Sequence, residues 1–275
     1  MRTALSAIAR PISIAAALVA AFAAVLPAAA PASARDRAVR ATEAAREGVV
    51  RAVVDGDTLQ LESGVEVRLV GIQAPKLPLG RRGFRTWPLA ADAKAALEAL
   101  SLGKHLALGY GGRKIDRNGR LLAHLTDDAG TWIQGGMLSR GMARVYTFAD
   151  NRTRAAEMLA LEREARDARR GIWGNAFYRV RDAAETPELI DSFQLVEGIV
   201  TNVATVRGRG YLNFGEDWRT DFTVTVAPGS LRRFTGGTAA LESLRGKRIR
   251  VRGWLKRQNG PMIEATHPEQ IERLP

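Results

Sequence analysis

From Gly48 onward apolar and polar residues alternate, and the alternation is punctuated by Asp-Gly and Ser-Gly. The stretch GVVRAVVDGDTLQLESGVEVRLVGI, 48–72, therefore predicts three consecutive strands joined by tight turns. The pattern changes at Pro88. PLAADAKAALEALSLG, 88–103, is alanine-rich, opens on a proline suited to a first helical turn and closes on glycine, which predicts a helix. KHLALGYG and LLAHLTD predict a fourth and a fifth strand, separated by the basic turn RKIDRNGR. TWIQGGMLSRG, 131–141, predicts a short helix despite its two glycines, and 151–174 a longer one with an apolar stripe and a Gly stop.

After the polar stretch YRVRDAAETPELIDS the alternation resumes. FQLVEGIVTNVATV, RGYLNFGE and DFTVTV predict three strands, 238–246 a helix, and KRIRVRGWLKRQNGPMIEATHPEQIERL two more strands around the turn QNG. Three strands, a helix and two strands thus occur twice. That order predicts a mainly β chain with helices (α+β) built from two five-stranded OB-type barrels. The expected boundaries are a barrel over 48–177, a linker over 178–193 and a second barrel over 194–275. By strand parity Leu212 and Phe214 face the second core and Tyr211 faces outward.

The N-terminus changes the picture next. Arg2 and Arg10 precede and flank the apolar run ISIAAALVAAFAAVL, which Pro27 terminates, and Ala32 to Ala34 form a small-x-small cleavage site. The run is short for a membrane span and suits a signal peptide over 1–34, followed by a polar lead-in over 35–47. The expected protein is exported, periplasmic or secreted, with no stable membrane span after cleavage. An uncleaved anchor is the alternative. The chain has 275 residues and no cysteine, so its stability does not come from disulfides. It carries 41 Lys+Arg against 29 Asp+Glu, a net charge of +12. That excess fits nucleic acid or another polyanion as partner, or a compositional bias toward arginine.

Candidate chemistry lies in the first half. Asp55 and Asp57 flank Gly56 in a turn, where two carboxylates are either plain turn residues or ligands of a hard cation. Arg68 on the third strand and Arg120 after the basic turn are candidates to clamp a phosphodiester. His105, His124 and His267 lack metal-ligand spacing and read as structural. The four residues Trp132, Trp173, Trp218 and Trp254 read as core or contact residues. There is no GxSxG motif, no P-loop and no cysteine nucleophile.

The motifs VVDGDTLQL, VRLVGIQAP, RKIDRNGRLLAHL, MARVY and GIWG, in that order, resemble the staphylococcal nuclease (thermonuclease) family over about 48–174. The resemblance implies a small OB barrel that cuts DNA and RNA phosphodiesters with calcium. It implies Asp57 as a metal ligand and Arg68 and Arg120 as phosphate contacts. It places Tyr146, with Phe148 after it, on the nucleotide-binding surface beside Arg113, Lys114 and Arg117. The insert KLPLGRRGFRTWP adds Arg81, Arg82 and Arg85 among Phe84 and Trp87, which either suits a nucleic-acid strand or packs its rings on the barrel with the arginines in water.

The departures from the family pattern matter most. Where the family has a second metal-binding aspartate, a threonine whose carbonyl binds metal, a proline and a catalytic glutamate, this chain has Gln73, Ala74, Pro75 and Lys76. Two unit charges about 6 Å apart at an effective dielectric near 20 interact by about 3 kcal/mol, so a lysine in place of a carboxylate opposes calcium binding. The expectation is a binding protein with weak or lost hydrolysis. The alternatives are an active secreted calcium-dependent nuclease with a metal site rebuilt from Asp57, Asp55, Gln73 and the Ala74 carbonyl, and a periplasmic interaction protein.

Overall fold

The computed structural model describes residues 46–275. The expected signal peptide, and the lead-in up to residue 45, lie outside the described residues. The first half opens with strands β1 (Glu47–Asp55), β2 (Thr58–Leu61), β3 (Glu66–Leu69) and the two-residue β4 (Ile72–Gln73). Helix α1 (Ala90–Ser101), strands β5 (His105–Gly109) and β6 (Leu121–Asp127), helix α2 (Ile133–Ser139), β7 (Arg144–Val145) and helix α3 (Ala155–Asp167) follow. β1, β2, β3, β6 and β5 form a closed barrel in that order. All its pairs are antiparallel except β3 with β6. β4 and β7 pair beside it.

The alternation read from the sequence is the burial pattern of the barrel. Val50, Val53, Leu59, Leu61, Val67 and Leu69 point inward onto Leu97, Leu121 and Leu125. Helix α3 is shorter than its sequence pattern. Arg169 adopts a left-handed backbone (φ 53°), which stops the helix, and a separate 3-10 turn takes up Gly171–Gly174.

The stretch expected as a linker holds strand β8 (Arg181–Asp182) and a 3-10 helix, Ala183–Leu189, whose N-terminus is closed by a capping box between Asp182 and Glu185. Then come β9 (Phe193–Ile199), β10 (Asn202–Val206), β11 (Arg209–Asn213), β12 (Thr223–Val226), helices α4 (Pro228–Leu231) and α5 (Thr238–Glu242), β13 (Arg248–Gln258), β14 (Gly260–Glu264) and β15 (Ile271–Arg273). The sheet runs β10-β11-β12-β14-β13-β9-β8, with β15 on β13. β9 and β10 are two arms of one strand interrupted at Val200 and Thr201. Counted so, the order of strands matches the first barrel, and the parallel pair β12–β14 stands where β3–β6 stands. A second apolar cluster, including Val196, Leu212, Val224, Ile249, Val251 and Ile263, fills this sheet.

A buried charge network joins the halves. Arg252 of β13 is 1% exposed, donates to the Val145 carbonyl, lies 2.8 Å from the fully buried Glu162 of α3 and pairs with Glu272 of β15. Arg250 continues it to Glu272 and Glu197. Thr147 and His267 are hydrogen-bonded across the same boundary at 2.8 Å.

Candidate functional site

The acidic turn is closed from above and from within. Gly56 has no room for a side chain. A Cβ there would lie 2.7 Å from the Cβ of Ala74 and 2.8 Å from that of Ala93 in α1. The helix therefore packs directly on the turn, and Asp55 and Asp57 are both buried. Burying a carboxylate is costly unless it is paired, and both are.

The principal partner is Lys76. Its Nζ stands 2.6 Å from each carboxylate oxygen of Asp57 and 3.3 Å from Oδ2 of Asp55. The lysine side chain is only 19% exposed. Asp57 Oδ1 also lies 3.1 Å from Nη1 of Arg68, and its Oδ2 accepts from the Ala74 backbone N–H at 2.8 Å. Asp55 Oδ1 accepts from the Asp57 N–H. Two carboxylates thus meet one ammonium and one guanidinium, a set with no net charge. Burial works against ionisation of Asp57, but Arg68, Lys76 and the Ala74 N–H outweigh it and hold this carboxyl well below the usual carboxylate range. Burial, then the neighbouring Asp57 charge, pushes Asp55 up, with Lys76 opposing.

The remaining site residues fall elsewhere. Arg68 turns inward and spends its other contacts on backbone carbonyls of Asp57, Leu69 and Ile72. Gln73 faces away from the acidic pair: its Oε1 accepts from Nε and Nη2 of Arg144 at 2.9 and 2.7 Å. Arg144 is buried with its guanidinium 4.5 Å from the Phe193 ring, 5.7 Å from Trp87 and 6.0 Å from Tyr178. Burial lowers its pKa to about 10. Arg120 pairs with Asp116 at 2.6 Å and Arg113 with Asp150 at 2.9 Å, while Lys114 lies over Tyr110. Arg117, Arg82 and Arg85 are exposed. In the insert Arg81 lies 3.7 Å over Phe84, and Phe84 and Trp87 are half-buried against each other.

Calcium takes six to eight oxygen ligands. The oxygens of Asp55 and Asp57 are already engaged by Lys76, Arg68 and backbone N–H groups, and Gln73 points to Arg144. Among the described residues no group of three or more His, Cys, Asp or Glu is arranged to hold a metal. The residues present do not fit the ion.

Of the four tryptophans expected in core or contact positions, Trp218 is at the surface instead and Trp254 is a partly exposed contact residue between the halves. Trp218 is 51% exposed and Trp254 is 43% exposed, whereas Trp132 and Trp173 are buried. Trp254 donates from Nε1 to the hydroxyl of Tyr146 at 2.9 Å. Tyr146 packs edge-on against Phe148, 50% exposed, and against Phe193. The alternation in RIRVRGWLK carried the signal: Ile249, Val251, Gly253 and Leu255 share one face, so Trp254 belongs to the other.

Each of the three histidines has a protein partner. His124 and His267 are buried and burial lowers each pKa to about 4, while His105 pairs with Asp128 at the surface.

Comparison with known proteins gives the lineage. The family described as staphylococcal nuclease homologue matches residues 66–175. Protein ParB of Escherichia coli is 32% identical over 149 residues, covering 48% of this chain and 75% of that protein. An uncharacterized endonuclease of Escherichia coli O157:H7 is 30% identical over 132 residues, covering 47% and 78%. Endonuclease YhcR of Bacillus subtilis (strain 168) is 28% identical over 145 residues, and the chain spans only 12% of its length. With the closed five-stranded barrel, whose strands β3, β5 and β6 lie in the matched region, these likenesses establish that the chain belongs to the staphylococcal nuclease family.

Proposed function

We propose that this chain is an exported, nucleic-acid-binding member of its family in which calcium-dependent hydrolysis has been lost. One observation carries the reading: the ammonium of Lys76, 2.6 Å from both oxygens of Asp57 and 3.3 Å from Asp55, stands between the carboxylates that a cation would need. The same contact weighs against a metal site rebuilt from Asp55, Asp57 and the Ala74 carbonyl. Gln73, the second altered position, is committed to Arg144. Binding is supported by the net charge of +12, by exposed arginines such as Arg82, Arg85 and Arg117, and by the endonucleases among the relatives. Export rests on the N-terminal pattern of charge, apolar run and small residues.

The test is a cleavage assay on single-stranded DNA with calcium and with manganese. The native chain is expected to leave the DNA intact, and the double variant Gln73→Asp, Lys76→Glu to gain metal-dependent cutting. Cutting by the native chain that Asp57→Ala abolishes would overturn the proposal.

A further inference from the structure

A cavity of about 460 Å³ lies on the outer face of the second sheet. It opens between β10, β11 and β12, the loop carrying Trp218, and the hairpin tip at Gln258 and Asn259. In a chain with 25% charged residues, every residue lining it is uncharged. Tyr211 and Trp218 supply aromatic surface, and Asn202, Asn213, Gln258 and Asn259 supply amides. Amides with ring faces suit a flat, uncharged, hydrogen-bonding group. The charge lies just outside. Arg207, Arg219 and Arg257 are exposed, and each adjoins a lining residue in sequence; Arg219 lies 4.6 Å over the Trp218 ring and 4.0 Å from the exposed Asp217.

Strand register continues this face toward the first barrel. Ala204 pairs with Tyr211, Tyr211 with Thr225, and Thr225 with Glu264. One residue beyond the Leu255–Ile263 pair, Trp254 is next to Glu264 and pairs on its other side with Phe193. Glu264 is offset by Arg209, 3.4 Å away. The row ends at Tyr146, which accepts from Trp254 and packs beside the exposed Phe148. It spans five strand spacings, about 24 Å along the curved sheet.

We infer that the cavity seats a base of single-stranded nucleic acid, whose strand runs along this row from Trp218 and Tyr211 to Trp254, Tyr146 and Phe148. An uncharged aromatic pocket with an arginine rim matches an uncharged base on a charged backbone. OB-type sheets present oligonucleotides and oligosaccharides on this same face, and the arginine rim favours the former. The inference rests on the proposed nucleic-acid binding and names the second barrel as its site for unpaired bases.

The experiment titrates fluorescently labelled oligo(dT) into the full chain by anisotropy, at several salt concentrations. Trp218→Ala and Tyr211→Ala are each expected to weaken binding roughly 5- to 100-fold without altering the salt slope. Arg257→Ala is expected to lower the slope by about 0.7. Binding of a DNA duplex is expected to stay within about two-fold in the two aromatic variants. Trp218 is half in solvent, so its truncation leaves the core intact; circular dichroism and the melting temperature confirm folding, and shielding of Trp218 from acrylamide by oligo(dT) gives a second readout in the native chain. If the native chain binds oligo(dT) and both aromatic variants keep full affinity, this inference fails while nucleic-acid binding stands. If the native chain binds the duplex but not oligo(dT), this inference fails while nucleic-acid binding stands; if it binds neither, both fail. If a neutral oligosaccharide such as chitotetraose binds and Trp218→Ala abolishes it with oligo(dT) affinity unmoved, the pocket is a sugar site and the inference fails.

Discussion

Replacing Lys76 with methionine keeps the length of the side chain and removes its charge, and two effects follow. The first is on stability. At an effective dielectric near 20, a unit charge about 4 Å from another contributes about 4 kcal/mol, and Lys76 faces two carboxylates. Part of that is returned because a largely buried ammonium no longer has to be stripped of water. A net loss of about 3 kcal/mol at pH 7 is expected, read as a lower urea midpoint at unchanged slope. Asp55 is the carboxyl whose pKa burial already raises, and losing Lys76 raises it further. A raised folded pKa adds stability as pH falls through it, so the deficit shrinks on acidification. The second effect is on calcium. A divalent ion about 4 Å from the ammonium is repelled by about 8 kcal/mol, which equals the whole binding free energy of a micromolar site. The native chain is therefore expected to melt at the same temperature with and without calcium, and Lys76→Met to melt higher with calcium. A variant within 0.5 kcal/mol (a threshold of about the scatter of surface substitutions) of the native chain, or a native chain that calcium stabilises, would refute the reasoning.

Other outcomes follow from single contacts. Arg252→Met leaves Glu162 buried with the Val145 N–H at 2.8 Å and, as its one remaining ion-pair partner among the described residues, Arg166 at 3.5 Å, so a loss of about 3–5 kcal/mol is expected in urea unfolding, against under about 1 kcal/mol for the exposed Arg248→Ala. Gly56→Ala forces a methyl against Ala74 and Ala93 and is expected to cost about 1–3 kcal/mol by the same measurement. The buried His267, with its pKa lowered to about 4 against an ordinary value of 6.5, takes up its proton more readily when unfolded. Its contribution is full above pH 6.5 and is lost as pH falls toward 4, so thermal melts of His267→Gln are expected to fall less steeply over that window than those of the native chain.

The strands of the first barrel and of the second sheet were legible because alternation is local: which face of β1, β2 or β13 points inward is written in neighbouring residues. The motif resemblance located Asp57, Arg68 and the altered positions, since those are sequence features. What it could not locate was where long side chains end. Lys76 reads as a missing base, but its four-carbon stem carries the ammonium back across 19 positions to Asp57. Gln73 reads as a weak ligand, yet β4 pairs with β7 and turns it toward Arg144, 71 positions away. Arg252 lies on the outward face of β13 by parity and is nonetheless buried, because α3 of the other half covers it. No local pattern encodes that cover. Trp218 and Trp254 reach solvent for the opposite reason: their faces are left open.

The lysine between the two aspartates also has a consequence for descent. An ion taken from solution can be lost and regained, whereas a tethered ammonium is inherited. Restoring the glutamate alone would set three acids together with only Arg68 against them, and Gln73 would remain turned to Arg144. A return to a calcium site therefore has to pass through a less stable protein or change both positions together. On the proposed reading, Lys76 acts as a ratchet against the return of a calcium site.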